Sequence, residues 1–361
     1  MRKLALLITA FVVVFALSAC GGTTDDGVTS IGISMPTTSS TRWISDGYTM
    51  KDLFEEEGYN VYLEYGQDDI TTQVAQVENM ITKGVDVLVI AAIDNSVWGT
   101  VLENAHEAGI IVIAYDRLIL NTEYVDYYAT FDNFGVGTLM GQGIVDALEL
   151  DNNTDTFNLE LFAGSPDDSN SAYFFNGAMS ILDSYVNAGR LVIQSGQDNF
   201  TQVTTLRWDG TVAQSRMEDI ITAAYSDGEV VDAVLAPYDG LSIGIISALR
   251  SNGYGLGAED TPMAYVTGQD AEQASVQAII DGYQGSTVFK DTRELAAVAV
   301  NMATAALAGE EVEINDTETY DNGVKVVPSY LLIPIFVDAS NWEEALIDSG
   351  YWSLDDFDLG E

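Results

Sequence analysis

The chain is poor in positive charge, and this shortage excludes whole classes of partner. It has 361 residues, with 13 lysines and arginines against 56 aspartates and glutamates, and a formal net charge of −43. Binding to nucleic acid or to anionic membrane surfaces needs clustered basic side chains, so neither is expected. The excess of carboxylates indicates a surface adapted for solubility in salty or alkaline surroundings.

Histidine and cysteine are almost absent, which limits the available chemistry. His106 is the only histidine and lies within a predicted helix, most simply as a surface residue. Relays of histidines and multi-histidine metal sites are therefore excluded. Cys20 is the only cysteine, so no internal disulfide can form. No Walker loop or GxGxxG motif follows a predicted strand, which assigns any nucleotide hydrolysis to a partner subunit. We expect no cofactor and no metal.

The first 27 residues differ from the rest of the chain. Two cations precede the apolar run LALLITAFVVVFAL, and LSAC at residues 17–20 matches the bacterial lipobox. This pattern predicts a lipoprotein signal peptide over residues 1–20, lipidation of Cys20, and a flexible tether over residues 21–27. An ordinary signal peptide that happens to contain a cysteine is the alternative. Either way, the protein is expected outside the cytoplasm, and the lipobox predicts a lipid anchor to the cell membrane.

Short β-branched and aromatic runs alternate with helical periodicity from Val28 onward. Ten of these runs predict strands: VTSIGISM, NVYLEYG, VDVLVIAA, IIVIAYD, DYYATFD, FNLELFAG, RLVIQSG, VDAVLAPYD, MAYVTGQD and STVFKD. Helix patterns lie between them, such as the run from Thr71 in which Val74, Val77 and Ile81 share a face and Gly84 ends the helix. So many βα units predict an α/β fold with two doubly wound, Rossmann-like domains, since one sheet of that size would be unusual.

Ligands of open α/β sheets bind beyond the carboxyl ends of the strands. Eleven basic residues follow the predicted signal peptide, and four of them fall after strands or near helix starts: Arg42, Arg117, Arg207 and Lys290. Carboxylates and amides end the same strands, among them Asp94, Asp116, Asp167, Asp168, Asn170, Asp239, Gln269 and Asp270. The sequence therefore predicts one charged ligand site at the strand ends.

Carboxylates and cations beside aromatic rings suit a sugar. Each pyranose hydroxyl donates and accepts hydrogen bonds, while the C–H face of the ring stacks on an aromatic side chain. Trp43 and Trp208 are the candidates for the two stacking rings, with Phe174 or Phe175 as substitutes.

The chain from about Val28 to Trp352 resembles the periplasmic multiple-monosaccharide-binding proteins, which are receptors of sugar ABC importers related to xylose-, ribose- and glucose/galactose-binding proteins. The segments that carry the resemblance include TSSTRWISDG, VIAYDRLI, YYATFDNFGVG, SPDDSNSAYFFNGAM, TLRWDGTVAQSRM, APYDGLSIGI, VTGQDAE and TVFKDTRELA. It implies the type I periplasmic binding protein fold, a monomer whose two domains are joined by a three-crossover hinge. We assign residues 28–131 and 291–327 to the N-terminal domain, and 132–290 and 328–361 to the C-terminal domain.

The resemblance also implies the ligand contacts, which are Arg42, Trp43, Asp94, Asp116, Arg117, Asn170, Arg207, Trp208, Asp239, Asp270 and Lys290. It implies an aldose such as glucose, galactose, xylose or arabinose, and the membrane subunits of an ABC importer as partners. The family's soluble periplasmic members end their leader at a simple cleavage site, whereas Cys20 in this chain predicts a tethered lipoprotein. Some relatives carry a calcium loop, but Thr156 stands in DNNTDTF where that loop needs glycine, which favours a solvated turn.

Several candidates have a structural alternative. Asp116 and Arg117 could form a salt bridge at the end of a strand. Trp208 could be a core residue. Asp94 could be a helix N-cap with no role in binding. Asp167 and Asp168 are adjacent, so we expect only one of them to face the site and the other to cap a helix or face solvent. Tyr238 is expected in the core or hinge.

Two other functions compete with the receptor. A glycoside hydrolase needs one carboxyl group held protonated, whereas each candidate acid here has a cation or amide nearby that favours the ionised form. A sugar sensor that signals to a membrane receptor stays open as an alternative.

Overall fold

The computed structural model describes residues 28–226, 228–258 and 261–360. The predicted signal peptide (residues 1–20), the lipidation site Cys20 and the tether (residues 21–27) lie outside the described residues. Within the described ranges, no helix is both long and apolar enough to cross a membrane.

The first domain is built on a six-stranded parallel sheet. Its strands are β1 (Ser30–Met35), β2 (Asn60–Tyr65), β3 (Val87–Ile90), β4 (Ile111–Tyr115), β5 (Tyr127–Phe131) and β11 (Ser329–Leu332), in the order β11-β5-β4-β3-β1-β2. Helices α1 (Thr41–Glu56) and α10 (Thr292–Ala308) bury their apolar residues against one face. Helices α2 (Ile70–Lys83) and α3 (Gly99–Glu107) cover the other. The doubly wound arrangement confirms the predicted α/β class.

The second domain repeats the pattern with shorter strands. Its helices are α4 (Asn133–Ala147), α5 (Ser169–Asn187), α6 (Phe200–Val203), α7 (Gly210–Ala224), α8 (Asp239–Ser251) and α9 (Gln273–Ile280). Strands β6 (Phe157–Leu161), β7 (Leu191–Val192), β8 (Ala233–Leu235) and β9 (Tyr265–Val266) form a parallel sheet in the order β7-β6-β8-β9. Strands β10 (Ser286–Phe289) and β12 (Ile335–Asp338) pair antiparallel, and backbone hydrogen bonds between residues 266–270 and 285–288 join them to β9.

The chain crosses between the domains three times, as expected. The crossings lie between β5 and α4, between β10 and α10, and between β11 and β12. One predicted boundary needs correction, because β11 pairs with β5 in the first sheet although residues 328–361 were assigned to the second domain. The third crossing instead lies at residues 333–334, where Pro334 has no backbone N–H to continue the strand.

Individual elements follow the sequence pattern closely. Helix α2 buries Val77, with Val74 and Ile81 packed beside it, and ends at Gly84, whose φ of +77° is open to glycine without strain. His106 is exposed on α3, and its ring stacks on Tyr124 at 5.0 Å between centroids. All ten predicted strands are present. The last two strands, β11 and β12, were not predicted from periodicity.

Candidate ligand-binding site

A cavity of about 510 Å³ lies between the carboxyl ends of the strands of the two domains. Nine of the eleven predicted site residues line it, drawn from both domains: Arg42, Trp43, Asp116, Arg117, Asn170, Arg207, Trp208, Asp270 and Lys290. The volume suits a small molecule and not a polymer. Parallel strands bring these residues together, because their carboxyl ends meet at one edge of each sheet.

Two cations and two carboxylates form an ion-pair network at the base of the cavity. Arg42 pairs with Asp116 through Nη2, and its Nη1 lies 3.3 Å from Oδ1 of Asp270 in the other domain. Nζ of Lys290 lies 3.0 Å from the same Asp270 oxygen and 3.9 Å from Asp116. All four side chains are at least nine-tenths buried. Removing any one member would leave an uncompensated buried charge.

The neighbouring cations Arg42 and Lys290 keep the Asp116 carboxylate ionised. Burial raises the pKa of Asp116, but Arg42 and Lys290 outweigh it and hold the pKa below the ordinary value. Burial likewise lowers the pKa of Arg42, and the carboxylates of Asp116, Asp270 and Asp46 more than reverse the shift. Asp116 therefore pairs with Arg42 and Lys290 and also lines the cavity. The alternative of a salt bridge between Asp116 and Arg117 is wrong, because Arg117 pairs with Asp168 instead.

Trp43 follows Arg42 at the start of α1 and is 6% exposed. The guanidinium carbons of Arg42 and Arg117 lie 4.6 and 5.1 Å from its ring centroid, which is cation–π distance. One turn further on, the buried carboxylate of Asp46 lies 3.6 Å from Nε of Arg42 and accepts a hydrogen bond from the Tyr115 hydroxyl at 3.0 Å. Arg42 is thus held from several sides.

Trp208 supplies an aromatic ring from the second domain. It is half-buried and makes edge-on contacts with Phe174 and Tyr238 at 6.2 and 6.1 Å between centroids. Its indole N–H donates to Asp168 at 3.3 Å. The ring lies so close to Gly164 that a Cβ at that position would overlap it. Trp208 packs against the core, as its structural alternative predicted, and it also lines the cavity, where contact with a ligand stays a prediction.

The adjacent aspartates 167 and 168 both line the cavity, contrary to our expectation that only one would. Asp168 caps α5 by accepting from the Asn170 N–H, and it also lies 2.9 Å from Nε of Arg117 across the domain boundary. Asp167 pairs with Arg207. Burial raises the pKa of Asp168, with Arg117 opposing the shift. A loop before a helix lets neighbouring side chains point to different partners around one opening.

Asn170 ties the second domain to the backbone of the first. Its Nδ2 donates to the Asp116 carbonyl at 2.7 Å, an oxygen that also accepts from Tyr128 at 2.6 Å and Thr130 at 3.1 Å. Asp116 has a φ of +59°, a left-handed conformation that is uncommon for a residue with a side chain. The three donors hold it there.

Two predicted residues do not line the cavity. Asp94 accepts from the backbone N–H and hydroxyl of Ser96 at 2.8 and 2.7 Å, so it closes a turn before α3. Asp239 is fully buried behind the cavity, where it accepts from Thr287, Gln284 and the Glu272 N–H. Both oxygens of Asp239 and Oδ1 of Asp94 accept hydrogen bonds from the protein itself, so we propose neither residue as a direct ligand contact.

A further contact between the domains involves residues that were not predicted as site residues. Ser40 donates to Oε1 of Glu272 at 3.0 Å, and the Tyr238 hydroxyl donates to the same oxygen at 2.8 Å. All three residues line the cavity, so Tyr238 is not only a core or hinge residue. Burial raises the pKa of Glu272. Glu272 could have been predicted from its position two residues after Asp270 in the segment VTGQDAE.

The segment DNNTDTF contacts an arginine. Arg190 donates from Nη2 to Oδ1 of Asn153 at 2.8 Å and from Nε to the Asp155 carbonyl at 2.8 Å. Among the described residues, no group of three or more histidine, cysteine or acidic side chains is arranged to hold a metal ion.

Comparison with known proteins agrees with the fold. Residues 31–311 match the family described as "Periplasmic binding protein domain". The chain belongs to this family. It is 55% identical over 326 residues to the multiple sugar-binding periplasmic receptor ChvE of Rhizobium radiobacter, covering 90% of this chain and 91% of that one.

Two solved structures are also similar. A solute binding protein of an ABC transporter from Clostridium phytofermentans, with bound β-D-glucose, is 45% identical with a TM-score of 0.87, covering 92% of this chain and 100% of that one. A carbohydrate transporter solute binding protein from Chloroflexus aurantiacus, in complex with D-glucose, is 37% identical with a TM-score of 0.82, covering 92% and 99%. The chain therefore shares its architecture with two proteins solved with bound glucose.

Proposed function

We propose that the protein is an extracytoplasmic receptor that binds one monosaccharide between its two domains and delivers it to an ABC importer. The cavity carries this proposal, because charged hydrogen-bonding groups and two indoles from opposite domains surround a space of about 510 Å³. Hydroxyls of an aldose such as glucose, galactose, xylose or arabinose would bind to the carboxylates and guanidinium groups. Trp43 and Trp208 would contact the C–H faces of the sugar ring.

An unsatisfied acceptor supports a hydroxylated ligand. Gln269 lines the cavity and is 3% exposed, and its Oε1 has no hydrogen-bond donor among the described residues. A buried acceptor left without a donor is costly. A sugar hydroxyl would supply that donor. Similarity to proteins solved with glucose points to the same ligand class.

Contacts across the cavity suggest how binding would close the protein. Ser40 with Glu272, Arg117 with Asp168, and Arg42 with Asp270 each join the two domains. A sugar that bonds to both sides would add to these contacts in the closed form only, and would shift the population toward it. The closed form would then be the one presented to the importer's membrane subunits.

The remaining parts of the proposal concern location and partners. We propose that Cys20 is lipidated and anchors the receptor outside the cytoplasm, since LSAC precedes it in the pattern of a lipobox. Delivery to an importer is favoured over signalling because the two solved relatives are described as transporter solute binding proteins. A receptor that signals would use the same closed form, and a growth test on the sugar as sole carbon source separates the two roles.

A thermal-shift screen of the four aldoses, with a panel of disaccharides incubated in parallel, tests the proposal. We expect at least one aldose to raise the unfolding temperature and no disaccharide to be cleaved. Cleavage of a disaccharide would support a hydrolase instead. The absence of any shift with all four aldoses would contradict the receptor.

A further inference from the structure

Two consecutive residues beside the cavity have a left-handed backbone. Asp270 has a φ of +93° and Ala271 a φ of +50°, although neither is glycine. Such conformations are strained for residues with a Cβ, so they persist only where the surroundings hold them. The turn has a clear geometric consequence. It lets Asp270 and Glu272, on either side of Ala271, both line the cavity while Ala271 is fully buried.

Three hydrogen bonds to Ala271 and Glu272 hold this turn from behind the cavity. The Ala271 N–H donates to Oγ1 of Thr287 at 3.2 Å, and the Glu272 N–H donates to Oδ2 of Asp239 at 2.8 Å. The third comes from far along the chain, where the indole N–H of Trp352 donates to the Ala271 carbonyl at 2.9 Å. The first two partners lie near the strand ends. Trp352 lies 81 residues away in sequence and is not among the cavity-lining residues.

Trp352 belongs to an aromatic cluster formed by the C-terminal segment. Its ring contacts Tyr351 and Phe357 edge-on at 5.6 and 6.2 Å between centroids. Ala271, Phe289 and Trp342 are buried in the same cluster. Trp342 contacts Phe357 at 5.7 Å, but among the described residues its side chain makes no hydrogen bond to the turn at 269–272. The cluster thus contains two tryptophans, of which one bonds to the turn.

We propose that Trp352 is a positioning residue for the ligand site. Its indole N–H fixes the Ala271 carbonyl and so stabilises the left-handed turn that directs Asp270 and Glu272 into the cavity. Asp239 acts on the same turn through the Glu272 N–H. The effect on affinity rests on the proposed sugar-binding function, whereas the effect on the turn does not depend on it.

The central test is a double-mutant cycle between Trp352 and Ala271. Trp352→Phe keeps an aromatic ring and removes the N–H, and Trp342→Phe is the matched control in the same cluster. Ala271→Gly removes the penalty for the left-handed conformation. Affinity for the tightest-binding aldose is measured by calorimetry in each variant. We expect Trp352→Phe to weaken binding about five- to tenfold, as the loss of one buried hydrogen bond suggests.

Comparing Trp352→Phe with alanine and with glycine at position 271 distinguishes a positioning role of Trp352 from a packing role. With alanine at position 271, the left-handed turn is strained and depends on Trp352. In the Ala271→Gly protein that strain is relieved, so we expect Trp352→Phe to change affinity by less than about twofold. A purely structural tryptophan would have the same effect in both backgrounds, and that result would overturn the proposal. So would an equal loss of affinity in Trp342→Phe.

Amide hydrogen exchange of the sugar-free protein gives a second readout that needs no ligand. We expect Trp352→Phe to speed exchange of the Ala271 and Glu272 amides by about tenfold, and Trp342→Phe to leave them unchanged. If the wild type binds no aldose, the receptor assignment fails while exchange still tests the turn. Unchanged exchange at these two amides in Trp352→Phe would overturn the proposal, whatever the sugar affinity.

Discussion

Nη1 of Arg42, in the first domain, lies 3.3 Å from Oδ1 of Asp270, in the second. The same guanidinium pairs with Asp116 through Nη2 and stacks on Trp43. Arg42 therefore joins two domains, two carboxylates and an indole at the base of one cavity. Its planar fork of donors suits this role better than a single ammonium group.

Replacing Arg42 by lysine should weaken sugar binding at least about tenfold, because a lysine has no planar guanidinium that bonds Asp116 and Asp270 from separate nitrogens and stacks on Trp43. Arg250→Lys is the matched control, since Arg250 lies on α8 against Tyr283 and outside the cavity. Titration calorimetry measures both variants. Equal affinities for the wild type and Arg42→Lys would contradict the role of Arg42.

Gly164→Ala should displace the Trp208 ring, because the added Cβ would overlap it. We expect sugar affinity to fall at least about tenfold while the fold is retained, since overpacking at one partly exposed ring is tolerated locally. Gly99→Ala, where a Cβ meets nothing within 4 Å, serves as the control. Tryptophan fluorescence and calorimetry follow the two effects. An unchanged affinity in Gly164→Ala would show that Trp208 is not part of the site.

Asn95 joins the domains outside the cavity. Across the domain boundary, its Oδ1 accepts from the Ser169 N–H at 3.0 Å and its backbone N–H donates to the Asp167 carbonyl at 3.2 Å. Within the first domain, its side-chain Nδ2 donates to the Leu118 carbonyl. Asn95→Ala should destabilise the closed form and weaken every sugar by the same factor, about three- to tenfold. Stopped-flow dissociation rates for two aldoses measure this. A factor that differs strongly between the two sugars would mean that Asn95 affects specificity instead.

Asp46 makes stability depend on pH. Burial raises its pKa from 3.8 to about 7, although Arg42 opposes the shift. The folded protein then binds more protons than the unfolded chain, so this stabilising contribution is full below about pH 4 and is lost as the pH rises through about 7.

Asp46→Asn removes that dependence. We expect the free energy of unfolding of the wild type, minus that of the variant, to fall by on the order of a few kcal/mol between about pH 4 and pH 8. Urea denaturation of the sugar-free protein at several pH values measures it. Asp52→Asn, exposed on the same helix, is the charge-matched control. A difference that is constant with pH would contradict the assignment.

Many of the cavity-lining residues were predicted from the sequence, because the carboxyl ends of strands can be recognised there. Asp116, Asp270 and Lys290 each end an apolar run, and parallel strands of a doubly wound domain must deliver such residues to one edge. The scarcity of cations made their positions informative. Arg42 was predicted for the same reason, since it opens the first helix after the first strand.

For other residues, the sequence could not show whether they line the cavity. The pattern of apolar and polar residues does not show in which direction a side chain points. Asp239 ends a run just as Asp270 does, yet it points inward, because Gln284 and Thr287 supply donors behind the cavity. Glu272 reaches the cavity only through the left-handed turn at residues 270–271, and no glycine marks that turn in the sequence. The third crossing was misplaced because apolar residues run across it, with Pro334 as the only interruption.

Titration calorimetry of the purified protein with each of the four aldoses, beside the Asp270→Asn variant, tests whether the cavity binds a monosaccharide. We expect at least one aldose to bind with one site per chain, and Asp270→Asn to weaken this binding at least about tenfold. Binding that the variant leaves unchanged, or no binding by any of the four aldoses, would contradict this expectation.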